Sequence, residues 1–171
     1  MGRLKHLYEP GTTYLITTVA RGRHAVFADA GCAQVAHQGF AFYAHKFKAI
    51  SLAHVVMPDH VHWLIYPSSQ DYERFAREEQ DRGGKYADAS ARFYLSKIVE
   101  DYKQHASFMV NKLRGMREAQ VWQDGFRDDG LRTPDVIRAA VRYVVMNPVH
   151  AGLVEAVEDY PYLAWDGRWL G

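Results

Sequence analysis

The sequence holds a single cysteine, Cys32, in 171 residues. One thiol excludes an intramolecular disulfide and any cysteine-rich zinc module, and it suits a reducing compartment. No apolar run approaches the ~18 residues that a membrane-spanning helix needs, so no membrane partner is expected. Residues 1–10 carry no apolar stretch of the kind that marks a secretory signal, and the expected location is the cytoplasm. Internal repeats and low-complexity tracts are missing as well. Charge of one sign is also lacking: 21 Lys and Arg stand against 20 Asp and Glu, a net of +1. Bulk charge therefore gives no support for a nucleic-acid partner, and any such partner must meet a local basic patch.

What is present is a core. Hydrophobic residues make up 48% and charged residues 24%, a balance that supports packing and argues against disorder. The length is that of one domain, and a single domain over residues 1–171 is expected. Nine histidines is a high count for a chain of this size.

Residues 12–19, TTYLITTV, are β-branched and aromatic and read as a strand. A loop with Arg21, Arg23 and His24 follows. From Ala30 to Ala49, apolar and aromatic residues recur at Val35, Phe40, Phe42, Tyr43 and Phe47, an imperfect helical pattern. Residues 50–57, ISLAHVVM, and 60–66, HVHWLIY, read as two strands joined at Pro58-Asp59 in a tight hairpin. Residues 67–90 are polar, with Gly83-Gly84 and many charges, and read as an exposed, mobile segment to which no helix or strand is assigned. A long helix is expected from Ala91 to Arg114, with Phe93, Ile98, Tyr102 and Met109 toward the core. A short fourth strand is expected at 120–127, around Val121-Trp122.

Thr133-Pro134-Asp135 is a helix start: Thr can cap, Pro suits the first helical position, and Asp suits the positive end of the dipole. Pro148 disfavours helical backbone at the residue before it, so the helix is expected to end at about Asn147. Tyr160, Trp165 and Trp169 in the tail are expected to pack over the body. The order β-α-β-β-α-β-α suits an α+β fold: a ferredoxin-like antiparallel sheet with helices on one face.

The sharpest local feature is Asp59-His60-Val61-His62. Side chains two apart on a strand share a face, so His60 and His62 point together with Cα atoms about 6.5–7 Å apart. Val61, Trp63 and Ile65 then point to the core. Two imidazoles so placed either converge on one divalent ion or form an exposed polar face with no ligand, and a third ligand has to come from elsewhere. Tyr143 and Asn147, four apart, share a helical face with about 6 Å between Cβ atoms. Spacing alone favours the plainer reading: a core-edge aromatic and a C-terminal cap before Pro148.

Two stretches taken together, MPDHVHWLI (57–65) and RYVVMNPVHAGLV (142–154), resemble the REP-associated tyrosine transposases, a branch of the HUH single-tyrosine transposases. The early GTTYLITTVARGRHAVF and the VWQDGF segment add to the resemblance, which covers about residues 8–165. It implies a nuclease and strand-transfer enzyme acting on single-stranded DNA, on hairpins of repetitive extragenic palindromes and the strand at their foot. It implies a divalent metal ion, Mg²⁺ or Mn²⁺, held by His60 and His62 and completed by Asn147, with Tyr143 as the nucleophile. Lys103 falls in a basic stretch common in the family. Arg21, Arg23, Arg127 and Arg132 are further candidates for phosphate contact. A monomer or a homodimer is expected.

Two departures stand out. Asp128-Asp129 puts two acids together beside the expected DNA path, and the net charge is low for a DNA enzyme. The alternative reading is a domesticated DNA-binding protein that recognises hairpins without cutting them. A metal-dependent hydrolase of a small substrate is a third.

Overall fold

The structure is a computed structural model that describes residues 8–83 and 90–170, with no account of the side chains of residues 90–93. Residues 1–7, Gly84 and the side chain of Phe93 therefore lie outside the described residues. Five strands form one antiparallel sheet: β1 (Thr13–Val19), β2 (Ile50–Met57), β3 (His60–Tyr66), β4 (Arg127–Leu131) and β5 (Leu163–Trp165), in the order β4-β1-β3-β2-β5. Among the described residues four α-helices accompany them: α1 (Ala30–Lys46), α2 (Ser69–Asp81), α3 (Ser90–Leu113) and α4 (Pro134–His150). The first four strands with α1 and α3 make the expected ferredoxin-like α+β plan. Among the described residues no helix is long and apolar enough to cross a membrane.

The strands alternate as their sequences demand. Val61, Trp63 and Ile65 on β3, with Tyr14 and Ile16 on β1, join a core shared with α1 and α3 that includes Phe40, Ile98 and Tyr102. Leu64, Ala53, Val55 and Met57 turn to the other face, where they meet Ala140, Val141, Val144 and Val145 of α4. The helices thus differ in one respect from the expected single-face cover: α1, α2 and α3 gather on one side, and α4 covers the other. The reason lies in β2, which is buried almost without a break from Leu52 to Met57. A strand buried on both faces needs cover on both. The pairing of β2 with β3 slips between Ser51 and Ala53, a bulge that places Leu52 and Ala53 in the same core.

Four expectations need correction. The polar stretch 67–90 contains α2. Ser68 caps it by accepting from the Asp71 amide at 3.3 Å. Buried Asp71 pairs with Arg74 at 2.8 Å and accepts from Tyr94 Oη at 3.1 Å, while Phe75 packs on the Tyr94 ring. One apolar anchor and one paired carboxylate hold a helix whose composition is otherwise that of a solvated segment. The fourth strand is not at Val121-Trp122. Those residues are a core anchor with one isolated bridge to Ala20, and β4 follows at Arg127–Leu131, paired with β1. Met109, expected in the core, is only half-buried, whereas Ile98 and Tyr102 are fully buried. Finally, α4 does not stop at Asn147. It runs through buried Pro148 to His150, with Ala151 as its cap donating to Asn147 O. Proline at this point removes one donor in the last turn, where chain continuation is short and Pro148 packs inward. Asn147 is therefore not the cap.

The tail folds back as expected. Tyr160, Trp165 and Trp169 pack against the α4 core, and β5 pairs with β2.

Candidate active site

The register of the sheet sets the site. On the α4 face, Thr17 of β1 stands opposite His62 of β3, and Arg127 of β4 stands opposite Thr17. His60 and His62 share this face, as the alternation requires, and their ring centroids are 4.9 Å apart. The α4 helix is anchored by Val141, Val144 and Val145. That anchoring presents Tyr143 over β3, where its Oη lies 3.2 Å from His62 Nε2. A cleft of about 730 Å³ joins His60, His62, Tyr143, Thr17, Arg23 and Arg127, with the loop 123–126 as one wall.

Each imidazole is held at Nδ1. His62 Nδ1 meets Thr17 Oγ1 at 2.9 Å. His60 Nδ1 meets Asp59 Oδ1 at 2.5 Å, and the other oxygen of Asp59 accepts from Arg23 at 3.0 Å. His62 is buried, and burial, reinforced by the neighbouring His60, pushes its pKa down to about 4. It is neutral at physiological pH, the form that binds metals. The Asp59 carboxyl is held below the usual carboxylate range: burial works against this, and the hydrogen bonds from His60 and Arg23 outweigh it. Tyr143 is 47% exposed, unlike the enclosed Tyr94 and Tyr102.

The sequence-derived candidates separate. His60, His62 and Tyr143 come together. Asn147 is half-buried one turn along α4; it does not line the cleft. Among the described residues no group of three His, Cys, Asp or Glu side chains is arranged to hold a metal. Arg23 and Arg127 line the cleft, Arg127 paired with Asp129 at 3.1 Å. Arg132 sits at the far end of β4 in a pair with Glu9 at 2.7 Å, and Arg21 bonds Gln120. Lys103 is turned to the protein: its Nζ donates to Gln123 O at 2.8 Å and Gly125 O at 2.6 Å. Burial lowers its pKa to about 8. It braces the loop wall of the cleft.

The two adjacent acids part company. Asp129 faces the cleft with Arg127, and Asp128, one residue earlier on the strand, points to the opposite face. Sequence reasoning missed Thr17 and the role of the 123–126 loop. Thr17 was reachable from alternation along β1, the loop was not.

Comparison with known proteins follows the same lines. No family model matches the chain. A provisionally named REP-associated tyrosine transposase of Haemophilus influenzae is 26% identical over 119 residues, 69% of this chain and 58% of that protein. The chain thus spans somewhat over half the length of this curated relative. A solved structure of a REP-associated tyrosine transposase bound to a REP hairpin superposes with TM-score 0.63 at 21% identity, covering 95% of this chain and 82% of that one. A provisionally named transposase of Deinococcus radiodurans R1 aligns more loosely, with TM-score 0.47 at 17% identity over 86% of this chain and 95% of that one. In sequence and in fold, then, this chain is similar to the REP-associated tyrosine transposases, the family that its two motifs resemble.

Proposed function

We propose that this chain is a single-strand DNA endonuclease and strand transferase that recognises DNA hairpins of the REP kind and works through a 5′-phosphotyrosine at Tyr143. The observation that carries the reading is the contact of Tyr143 Oη with His62 Nε2 at 3.2 Å, between residues 81 apart in sequence. It is made within one chain, so the pair is complete without a second copy. A half-exposed phenol over a pair of imidazoles, at the mouth of a cleft with Arg23 and Arg127, has access to a phosphodiester. The solved relative bound to a REP hairpin supports a hairpin as the partner.

The residues present suit a divalent cation, Mg²⁺ or Mn²⁺. Both rings have Nδ1 occupied by an orienting oxygen, which leaves Nε2 as the ligand atom, the arrangement found at metal-binding histidines. By the family resemblance Asn147 would be the third donor, although in this structure it stands outside the cleft that the two imidazoles line. When bound, such an ion polarises a non-bridging phosphate oxygen and stabilises charge in the transition state. With its proton on Nδ1, His62 would offer the Nε2 lone pair either to the Tyr143 hydroxyl or to a cation, and the 3.2 Å contact supports a phenol that adjoins the proposed ion site.

Tyr143 forms an O–P bond as the P–O3′ bond breaks, leaving a free 3′-hydroxyl. A 3′-hydroxyl then attacks the phosphotyrosine, rejoins DNA and restores the phenol. The linkage retains the phosphodiester, so rejoining needs no nucleotide cofactor. Arg23 and Arg127 orient the phosphates. Their pairs with Asp59 and Asp129 are solvent-exposed and worth about 0–1 kcal/mol each, so a phosphate can displace the carboxylates.

A labelled hairpin oligonucleotide with a single-stranded foot, incubated with Mg²⁺ or Mn²⁺, tests the reading. The wild type forms a covalent protein–DNA band and Tyr143→Phe forms none. A protein that binds the hairpin and never forms the band is the non-catalytic binder instead.

A further inference from the structure

We propose that Asp59 is a positioning residue: its carboxylate fixes the proton of His60 on Nδ1, so that Nε2 is presented to the cleft as a ligand atom. This rests on the metal site proposed above, and it assigns Asp59 a place outside the ligand set. Both carboxylate oxygens are already engaged, Oδ1 with His60 Nδ1 at 2.5 Å and Oδ2 with Arg23 at 3.0 Å. A carboxylate accepts only, so the His60 nitrogen facing it is the protonated one, and the remaining nitrogen carries the lone pair.

The two histidines are held unequally. His62 is steadied by a neutral hydroxyl, Thr17 Oγ1 at 2.9 Å, inside the sheet register. His60, at the strand's first position, has an anion behind it. A carboxylate behind a ligating imidazole orients it, and loss of such a partner costs about 10–100-fold in metal affinity. His60 thus has an anionic partner at Nδ1, and His62 a neutral one there with Tyr143 Oη at its Nε2. Arg23 completes the chain. Its backbone is left-handed, with φ 54° beside Gly22 at φ 61°, a local geometry that delivers the guanidinium to Asp59 at the cleft mouth. There it steadies the carboxylate and remains open to a phosphate.

The side chain of Asp59 is separable from the turn that carries it. Asp59 O accepts from Ala20 N at 2.8 Å and Pro58 O accepts from Phe27 N at 2.9 Å. Those backbone bonds persist in Asp59→Ala, so the variant is expected to fold.

The experiment compares wild type, Asp59→Ala, Asp59→Asn and Thr17→Val. In metal-free protein, long-range ¹H–¹⁵N spectra of the imidazoles report which nitrogen holds the proton. His60 is expected to carry it on Nδ1 in the wild type and in Thr17→Val, and to shift toward Nε2 in Asp59→Ala. Titration with Mn²⁺ alone is expected to show about 10–100-fold weaker binding in Asp59→Ala. Asp59→Asn, which keeps an acceptor and loses the charge, is expected to fall between. A wild-type His60 protonated on Nε2, an unchanged tautomer in Asp59→Ala, or Mn²⁺ binding by Asp59→Ala equal to wild type overturns the proposal. A wild type that binds no Mn²⁺ overturns the metal-dependent function, and the tautomer spectra then decide the role of Asp59 by themselves.

Discussion

Acid should weaken this fold through one buried histidine. His54 lies on β2 with its ring against Phe40, centroids 4.5 Å apart. Its Nδ1 is 3.1 Å from Ser51 Oγ, and Ser51 Oγ also accepts from Trp63 Nε1 at 3.0 Å. The indole donates to the hydroxyl, which also exchanges a hydrogen bond with His54 Nδ1. Protonating the ring buries a charge. Burial, with His37 adding to it, accordingly drives the His54 pKa down to about 3. Between pH 6.5 and 3 the unfolded chain binds a proton that the native chain refuses. The stability is complete above about pH 6.5 and is lost as pH falls toward 3. At pH 4.5, about two units below the unfolded value, the loss is roughly 2–3 kcal/mol. Urea unfolding at pH 7 and pH 4.5 measures it, with His54→Asn as the control. The variant is less stable at pH 7 and loses roughly 2–3 kcal/mol less than wild type on acidification; His62 and His37 act in both proteins and cancel. Equal losses in the two proteins would refute the reasoning.

Two further outcomes are expected. Lys103→Met removes both donors from the carbonyls of Gln123 and Gly125; one charge-assisted bond is worth about 1.5–3 kcal/mol and solvent replaces part of it. The Gln123 amide, bonded to Val19 O at 2.8 Å, should then exchange with solvent about tenfold faster or more, and an unchanged rate would show that Lys103 does not brace the wall. His60→Ala and His62→Ala should each abolish cleavage while hairpin affinity stays within a few-fold of wild type, read by gel shift and product analysis, and wild-type cleavage by either variant would remove the histidines from the chemistry.

The sequence carried the site better than it carried the frame around it. Alternation along HVHWLIY put His60 and His62 on one face, and helical spacing put Tyr143 and Asn147 on one face of the last helix, with the family resemblance alone marking Tyr143 as more than a core-edge aromatic. Those are local rules, and the structure obeys them. What joined the two was a tertiary event, the seating of Val141, Val144 and Val145 against β2. The run at 50–57 reads only as a strand of a sheet covered on one face, whereas β2 is buried from Leu52 to Met57 and needs cover on both. Local polarity misled twice. The SQDYERFAREEQD stretch reads as solvated because a single anchor, Phe75, and the paired Asp71 carry its packing. RDDGL lacks every mark of a strand and is one because β1 offers it an open edge. Pro148 misled in the other direction: its local preference against helix was overridden by burial in the last turn of α4. For the cationic candidates, sequence gave charge without direction. Lys103 turns inward to two carbonyls, and only Arg23 and Arg127 reach the cleft.

The central claim is that the α4 phenol is the nucleophile, and peptide mapping by mass spectrometry after reaction with a hairpin oligonucleotide and Mg²⁺ tests it most directly. The account predicts nucleotide mass on the peptide that contains Tyr143 and no adduct in Tyr143→Phe. Strand cleavage with no adduct, or an adduct on any other residue, would contradict it.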